Sequence, residues 1–121
     1  MIKRVKFLSI PVRDQDRALQ FYTEKLGFRI MTDQQMSDDQ RWIELSIPGA
    51  ETGVVLFTPK GQEDRIGTFL NTSWEVDHVE KTYTELQARG VEFLGPPQKQ
   101  PWGTFVMMKD SEGNQIVLSS R

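Results

Sequence analysis

A chain of 121 residues falls in the usual span of one domain, ~100–150 residues, and is long enough to bury a core without staples. With 37% hydrophobic and 26% charged residues, its composition excludes a disordered or a membrane class, and the absence of cysteine excludes disulfides, thiol nucleophiles and thiolate metal sites. A net charge of −2 lacks the basic footprint that nucleic acid requires. Met1-Ile2-Lys3-Arg4 runs into strand-like residues rather than an apolar signal core, and no apolar stretch approaches the ~18 residues of a spanning helix, so a cytoplasmic protein with no membrane partner is expected.

Residues 2–12 alternate in part through Ile2, Val5, Leu8, Ile10 and Val12 and predict a strand, with Pro11 marking an edge or an exit. A helix is expected from Asp14 or Gln15 to Lys25: Asp14 caps it, Ala18, Phe21, Tyr22 and Leu26 form a helical stripe, and Gly27 stops it. Three strands are expected next, Phe28–Thr32, Arg41–Ile47 and Gly53–Thr58, with Pro48-Gly49 turning between the last two. Residues 60–67 are polar, carry two glycines and predict a linker.

The order then repeats. Phe69–Val76 predicts a strand, and Asp77 with Glu80 predicts a capping box for a helix carrying Val79, Tyr83 and Leu86 and ending at Gly90. Strands are expected at Val91–Leu94, Thr104–Met108 and Gln115–Ser119, the last two joined by the tight turn Asp110-Ser111-Glu112-Gly113-Asn114. Val12-Arg13-Asp14 followed by Gly27 is matched by Glu75-Val76-Asp77 followed by Gly90. The chain is therefore an α+β protein of two βαβββ modules, 1–59 and 68–121, in one domain over 1–121. One amphipathic helix per module leaves a strand face for another module, a second chain or a ligand to cover, and a homodimer is expected.

In order and wording the chain resembles the vicinal-oxygen-chelate superfamily, which contains glyoxalase I, bleomycin-resistance proteins, fosfomycin-resistance enzymes and extradiol dioxygenases. The resemblance is carried by Ile10-Pro11-Val12-Arg13-Asp14, by Phe21-Tyr22 and Leu26-Gly27-Phe28, and by Asp110 to Leu118, with Ser111 where the family usually has proline. It implies a glyoxalase-like, partly open barrel or cleft. It also implies four ligand positions for one divalent ion, which fall on Phe7, Leu56, Asn71 and Val117. Phenyl and alkyl groups donate nothing to such an ion, and one neutral amide does not hold it, so neither a metal nor another cofactor is expected. Glu44 near Leu56 does not restore the set by itself.

His78, the one histidine, invites a ligand or general-base role, but its place just after Asp77 at a strand–helix junction favours an exposed structural position. No Ser–His–Asp order, glycine-rich phosphate loop or catalytic carboxylate pair is present. If the matched positions face the cleft, strand alternation brings Phe7 and Ser9 there, then Val54, Leu56 and Thr58, then Asn71, Ser73 and Glu75, then Gln115, Val117 and Ser119. The opposite parity (Leu8, Ile10, Val55, Phe57, Trp74, Val76, Ile116, Leu118) suits burial under the helices. Trp42 and Trp102, beside turns, are placed to flank a ligand.

The expected ligand-binding set is thus Phe7, Ser9, Trp42, Leu56, Asn71, Ser73, Glu75, Trp102 and Val117. Three functions fit it. The first is a metal-free binding protein for a small aromatic or amphipathic molecule. The second is a metal-dependent lyase or dioxygenase with an atypical site, and the third is a structural or interaction protein whose cleft is filled by core side chains. The sequence does not decide between enzyme and binder.

Overall fold

Strand β1 (Phe7–Pro11) begins where it finds a partner. Its parallel neighbour β4 (Gly53–Phe57) pairs from Phe7↔Gly53 to Pro11↔Phe57, so Ile2 and Val5 have no ladder to join and lie exposed. The strand expected from Ile2 is therefore five residues shorter at its start.

Helix α1 (Gln15–Gln20) starts at Asp14, whose carboxylate accepts the Arg17 amide at 3.0 Å. It continues as a wider π-turn over Phe21–Lys25, buries Ala18, Phe21 and Tyr22, and packs on β4. Strands β2 (Arg29–Ser37) and β3 (Gln40–Ser46) form an antiparallel hairpin, and the sheet order is β1-β4-β3-β2. β2 runs five residues past its expected end at Thr32. Its polar segment Asp33-Gln34-Gln35 gives no apolar alternation, yet each of the three pairs with a β3 residue.

The computed structural model describes residues 1–121, which form two units, Met1–Asp64 and Arg65–Arg121. A short 3-10 turn, Glu63–Arg65, lies in the stretch expected to be a linker.

The second unit holds β5 (Ser73–Glu75), α2 (Val79–Ala88), β6 (Glu92–Phe93), β7 (Gln98–Gln100), β8 (Gly103–Lys109) and β9 (Gln115–Ser120). Its order is β5-β9-β8-β6, with β7 also on β8, and β5 runs parallel to β9. β5 is shorter than the expected Phe69–Val76, because its ladder with β9 spans only Ser73 to Glu75. The capping box at Asp77 and Glu80 does not form. His78 is the N-cap residue, and the first helical amide, Val79, donates to the Ser120 hydroxyl at 3.1 Å. β7, an all-polar strand behind Pro96-Pro97, was not expected.

Neither sheet closes on itself, and no helix is long and apolar enough to cross a membrane. The result is an α+β fold in which the first unit has the order βαβββ and the second the same order with the short β7 added.

Candidate functional site

Ladder register fixes which side chains share a face. In the first unit Ser9 pairs with Val55, and Val55 with Glu44, while Ile10 pairs with Leu56, and Leu56 with Ile43. Ile10, Ile43, Leu45, Val54 and Leu56 are buried together with Ala18 of α1 and with Phe21 and Tyr22 of the π-turn. Leu56 therefore belongs to the helix-side core, and Val55 and Phe57 take the places beside Ser9. This reverses the expected parity of β4.

On the face of Ser9 a cavity of about 290 Å³ opens. Ser9 comes from β1, Val55, Phe57 and Thr58 from β4 and its exit, and Gln40, Arg41 and Trp42 from β3. Asp39 comes from the hairpin turn and Gln15 from the first turn of α1. Gln15 Nε2 donates to the carbonyls of Arg41 at 2.9 Å and Leu56 at 3.1 Å, tying the helix start to β3 and β4. The wall combines two aromatic rings with hydroxyl and amide groups, a composition common in small-molecule sites, and its volume lies near the small end of the ~300–1,000 Å³ range.

Charge at the rim is paired. The Arg41 guanidinium donates from Nε and Nη2 to both oxygens of Asp33, 2.9 Å each, and from Nη1 to Asp16 at 2.6 Å. These bonds hold the Asp33 carboxyl below its ordinary range and push the Arg41 pKa up. Lys60 donates to Asp39 at the hairpin turn, lowering the Asp39 carboxyl and raising the Lys60 ammonium. Trp42 is 37% exposed, meets the Phe7 ring edge-on at 5.7 Å, and points its Nε1–H at Glu44 Oε1 over 3.4 Å.

Of the residues expected at the site, Ser9 and Trp42 thus meet in one cavity, with Phe7 against Trp42. In the second unit Ser73, Glu75 and Val117 share one sheet face, where Phe105 and Met107 join them. Asn71 is exposed and precedes β5. Trp102 is 60% exposed and stacks on Phe105 at 5.9 Å. Sequence reasoning missed Gln15, Asp39, Gln40 and Arg41 as cavity residues. Their signal was weak: a glutamine directly after an N-cap, and a polar run opening a strand.

The Asp110–Asn114 word has a structural function. Asp110 Oδ1 accepts the amides of Glu112 and Asn114, both at 2.9 Å, and Oδ2 accepts the Asn114 side-chain amide at 3.0 Å. Asn114 in turn accepts the Gly67 amide at 3.0 Å, and Gly113 holds φ +84°, a conformation that glycine adopts without strain. These residues are committed to the turn.

The family's metal does not fit the residues present. Phe7, Asn71 and Val117 are at three of the four ligand positions that the resemblance implies, and correcting β4 replaces Leu56 with Val55 or Phe57, which also donate nothing. No three His, Asp or Glu side chains gather as a metal-binding group within either unit.

Comparison with known proteins agrees with the fold. The Bacillus subtilis (strain 168) protein YetH is 39% identical over 121 residues, covering 98% of each chain. The crystal structure of UcmS2 superposes with a TM-score of 0.90 at 32% identity over the whole of both chains. That of TnmS3, an antibiotic binding protein from Streptomyces sp. CB03234, superposes with 0.85 at 35% identity, over 98% of this chain and 95% of its own. The model of one family matches residues 4–118, across both units. This chain belongs to the glyoxalase/bleomycin resistance protein/dioxygenase superfamily.

Proposed function

We propose that this chain binds a small aromatic molecule and does so without the family's metal. The observation that carries the proposal is the first-unit cavity: aromatic and polar side chains line it, and the family's ligand positions hold no adequate donors. TnmS3, similar over nearly its whole length, is an antibiotic binding protein, which supports the same class of function here. Ser9, Trp42, Val55 and Phe57 form the proposed contact set, with Phe7 fixing the indole. Asn71, Ser73, Glu75, Trp102 and Val117 are the proposed ligand-facing set of the second unit.

We further propose that the two units act as one domain of a cytoplasmic homodimer. Light scattering at tens of micromolar, well above the dissociation constant of a stable dimer, should give twice the chain mass, and a monomer contradicts that.

The binding proposal is tested by thermal shift against neutral polycyclic aromatics, with metal content measured on the same protein. Expected are a saturable rise in melting temperature and less than about one-tenth equivalent of Zn, Ni, Mn or Fe. Stoichiometric metal that survives dialysis, with stability lost on chelation, favours the metal-dependent enzyme instead. No shift with any probe favours a filled, structural cleft.

A further inference from the structure

Arg41 belongs to the cavity wall, but Asp33 and Asp16 hold its guanidinium on the sheet face that carries Ile43, away from Trp42. Arg41 spends three of its N–H donors on Asp33 and Asp16, two carboxylates against one cation. Lys60, at the same rim, is paired with Asp39. Both cations thus already face carboxylates.

Glu44 differs from those carboxylates. It lies on the same sheet face as Trp42, two residues along β3, and opposite Val55, which lines the cavity. Its one hydrogen bond is the long contact from Trp42 Nε1 at 3.4 Å, and no cation pairs with it. Near the Trp42 face of β3 the carboxylates are thus Glu44 and, at the hairpin turn, Asp39 with its partner Lys60, whereas Asp33 shares the opposite face with Ile43 and meets the Arg41 guanidinium and Asp16 there. The negative face of the Trp42 ring adds to the same sign.

We infer that the cavity selects flat aromatic cations, polycyclic rings bearing an amine, over aromatic carboxylates, and that Glu44 determines this preference. The inference rests on the aromatic-binding function proposed above. A carboxylate beside a partly water-excluded ring attracts an ammonium more strongly than the same pair in bulk water, because the effective dielectric is lower. Arg41 serves to brace β3 against β2 and α1 rather than to hold an anion.

Three ring-matched probes test it: 9-aminoacridine, cationic at neutral pH; acridone, neutral; and acridine-9-carboxylate, anionic. Each is titrated into the protein in EDTA-containing buffer at low salt and followed by calorimetry. We expect 9-aminoacridine to bind at least about tenfold more tightly than the carboxylate, with the gap narrowing several-fold at molar salt. Glu44→Gln should weaken 9-aminoacridine about fivefold and leave acridone unchanged.

Equal affinities for all three probes, or a Glu44→Gln protein that binds 9-aminoacridine as the parent does, overturn the charge preference and leave aromatic binding standing. Binding of none of the three overturns aromatic binding and the charge preference together.

Discussion

The two units follow one plan and spend their polar residues differently. In the first, the hairpin of β2 and β3 runs nine and seven residues, and its tip supplies Asp39, Gln40, Arg41 and Trp42 to a cavity wall. In the second, the strand after the helix, β6, has two residues, and Pro96-Pro97 separate it from the three-residue β7. Proline removes a ladder donor, and two in succession interrupt the pairing with β8 between β6 and β7. The second unit instead buries its polar residues: Asn114 is 0% and Asp110 6% exposed, joined in one turn network. A repeated fold can thus open a cavity in one copy and bury a polar turn in the other, according to which connection is lengthened.

That contrast predicts unequal mutational costs. Asp110→Ala should be the most damaging change. It leaves the Glu112 and Asn114 amides and the Asn114 side chain without their acceptor, at a cost of about 3–5 kcal/mol. Chemical denaturation checks it, and a loss under about 1 kcal/mol would break the distinction between the units.

Next comes the corrected face of β4. Leu56→Ala should cost about 2–5 kcal/mol because Leu56 is fully buried on the helix side. Ser9→Ala, on the cavity side, should change stability by no more than about 0.5 kcal/mol. Comparable costs for the two would mean that the faces are assigned wrongly.

Most strands, both helices and the Asp110 turn were legible in the sequence, because caps, glycines and helical stripes are local signals, whereas the all-polar β7 was not. The parity of β4 was not. Gly53-Val54-Val55-Leu56-Phe57 is apolar throughout, so alternation carries no information there, and only pairing with Ser9 and Ile10 decides it. The start of β1 failed for a related reason: Ile2 and Val5 resemble strand residues, but a strand ends where its partner does. The cavity was half legible. Ser9 and Trp42 were recognised, whereas Gln15 and Arg41 enter through contacts 26 and 41 residues away or through carboxylates on two other elements.

A smaller effect is expected from the rim. Asp33→Asn breaks the two-pronged bond to Arg41 and should cost about 1 kcal/mol. The Arg41 bonds lower the Asp33 carboxyl in the folded state, so this contribution is complete above the ordinary carboxylate range and disappears as pH falls through the lowered folded value. Denaturation midpoints of the parent and Asp33→Asn proteins should therefore differ at pH 7 and converge at strongly acidic pH. A gap that widens on acidification would reverse the sign.

The central claim, aromatic binding without metal, is tested most directly by titrating 9-aminoacridine into the same protein twice. One sample is stripped with EDTA and the other incubated with excess Zn, Ni, Mn or Fe. The account predicts one saturable isotherm with the same affinity in both. Binding absent from the stripped protein and restored by one of these metals would contradict it.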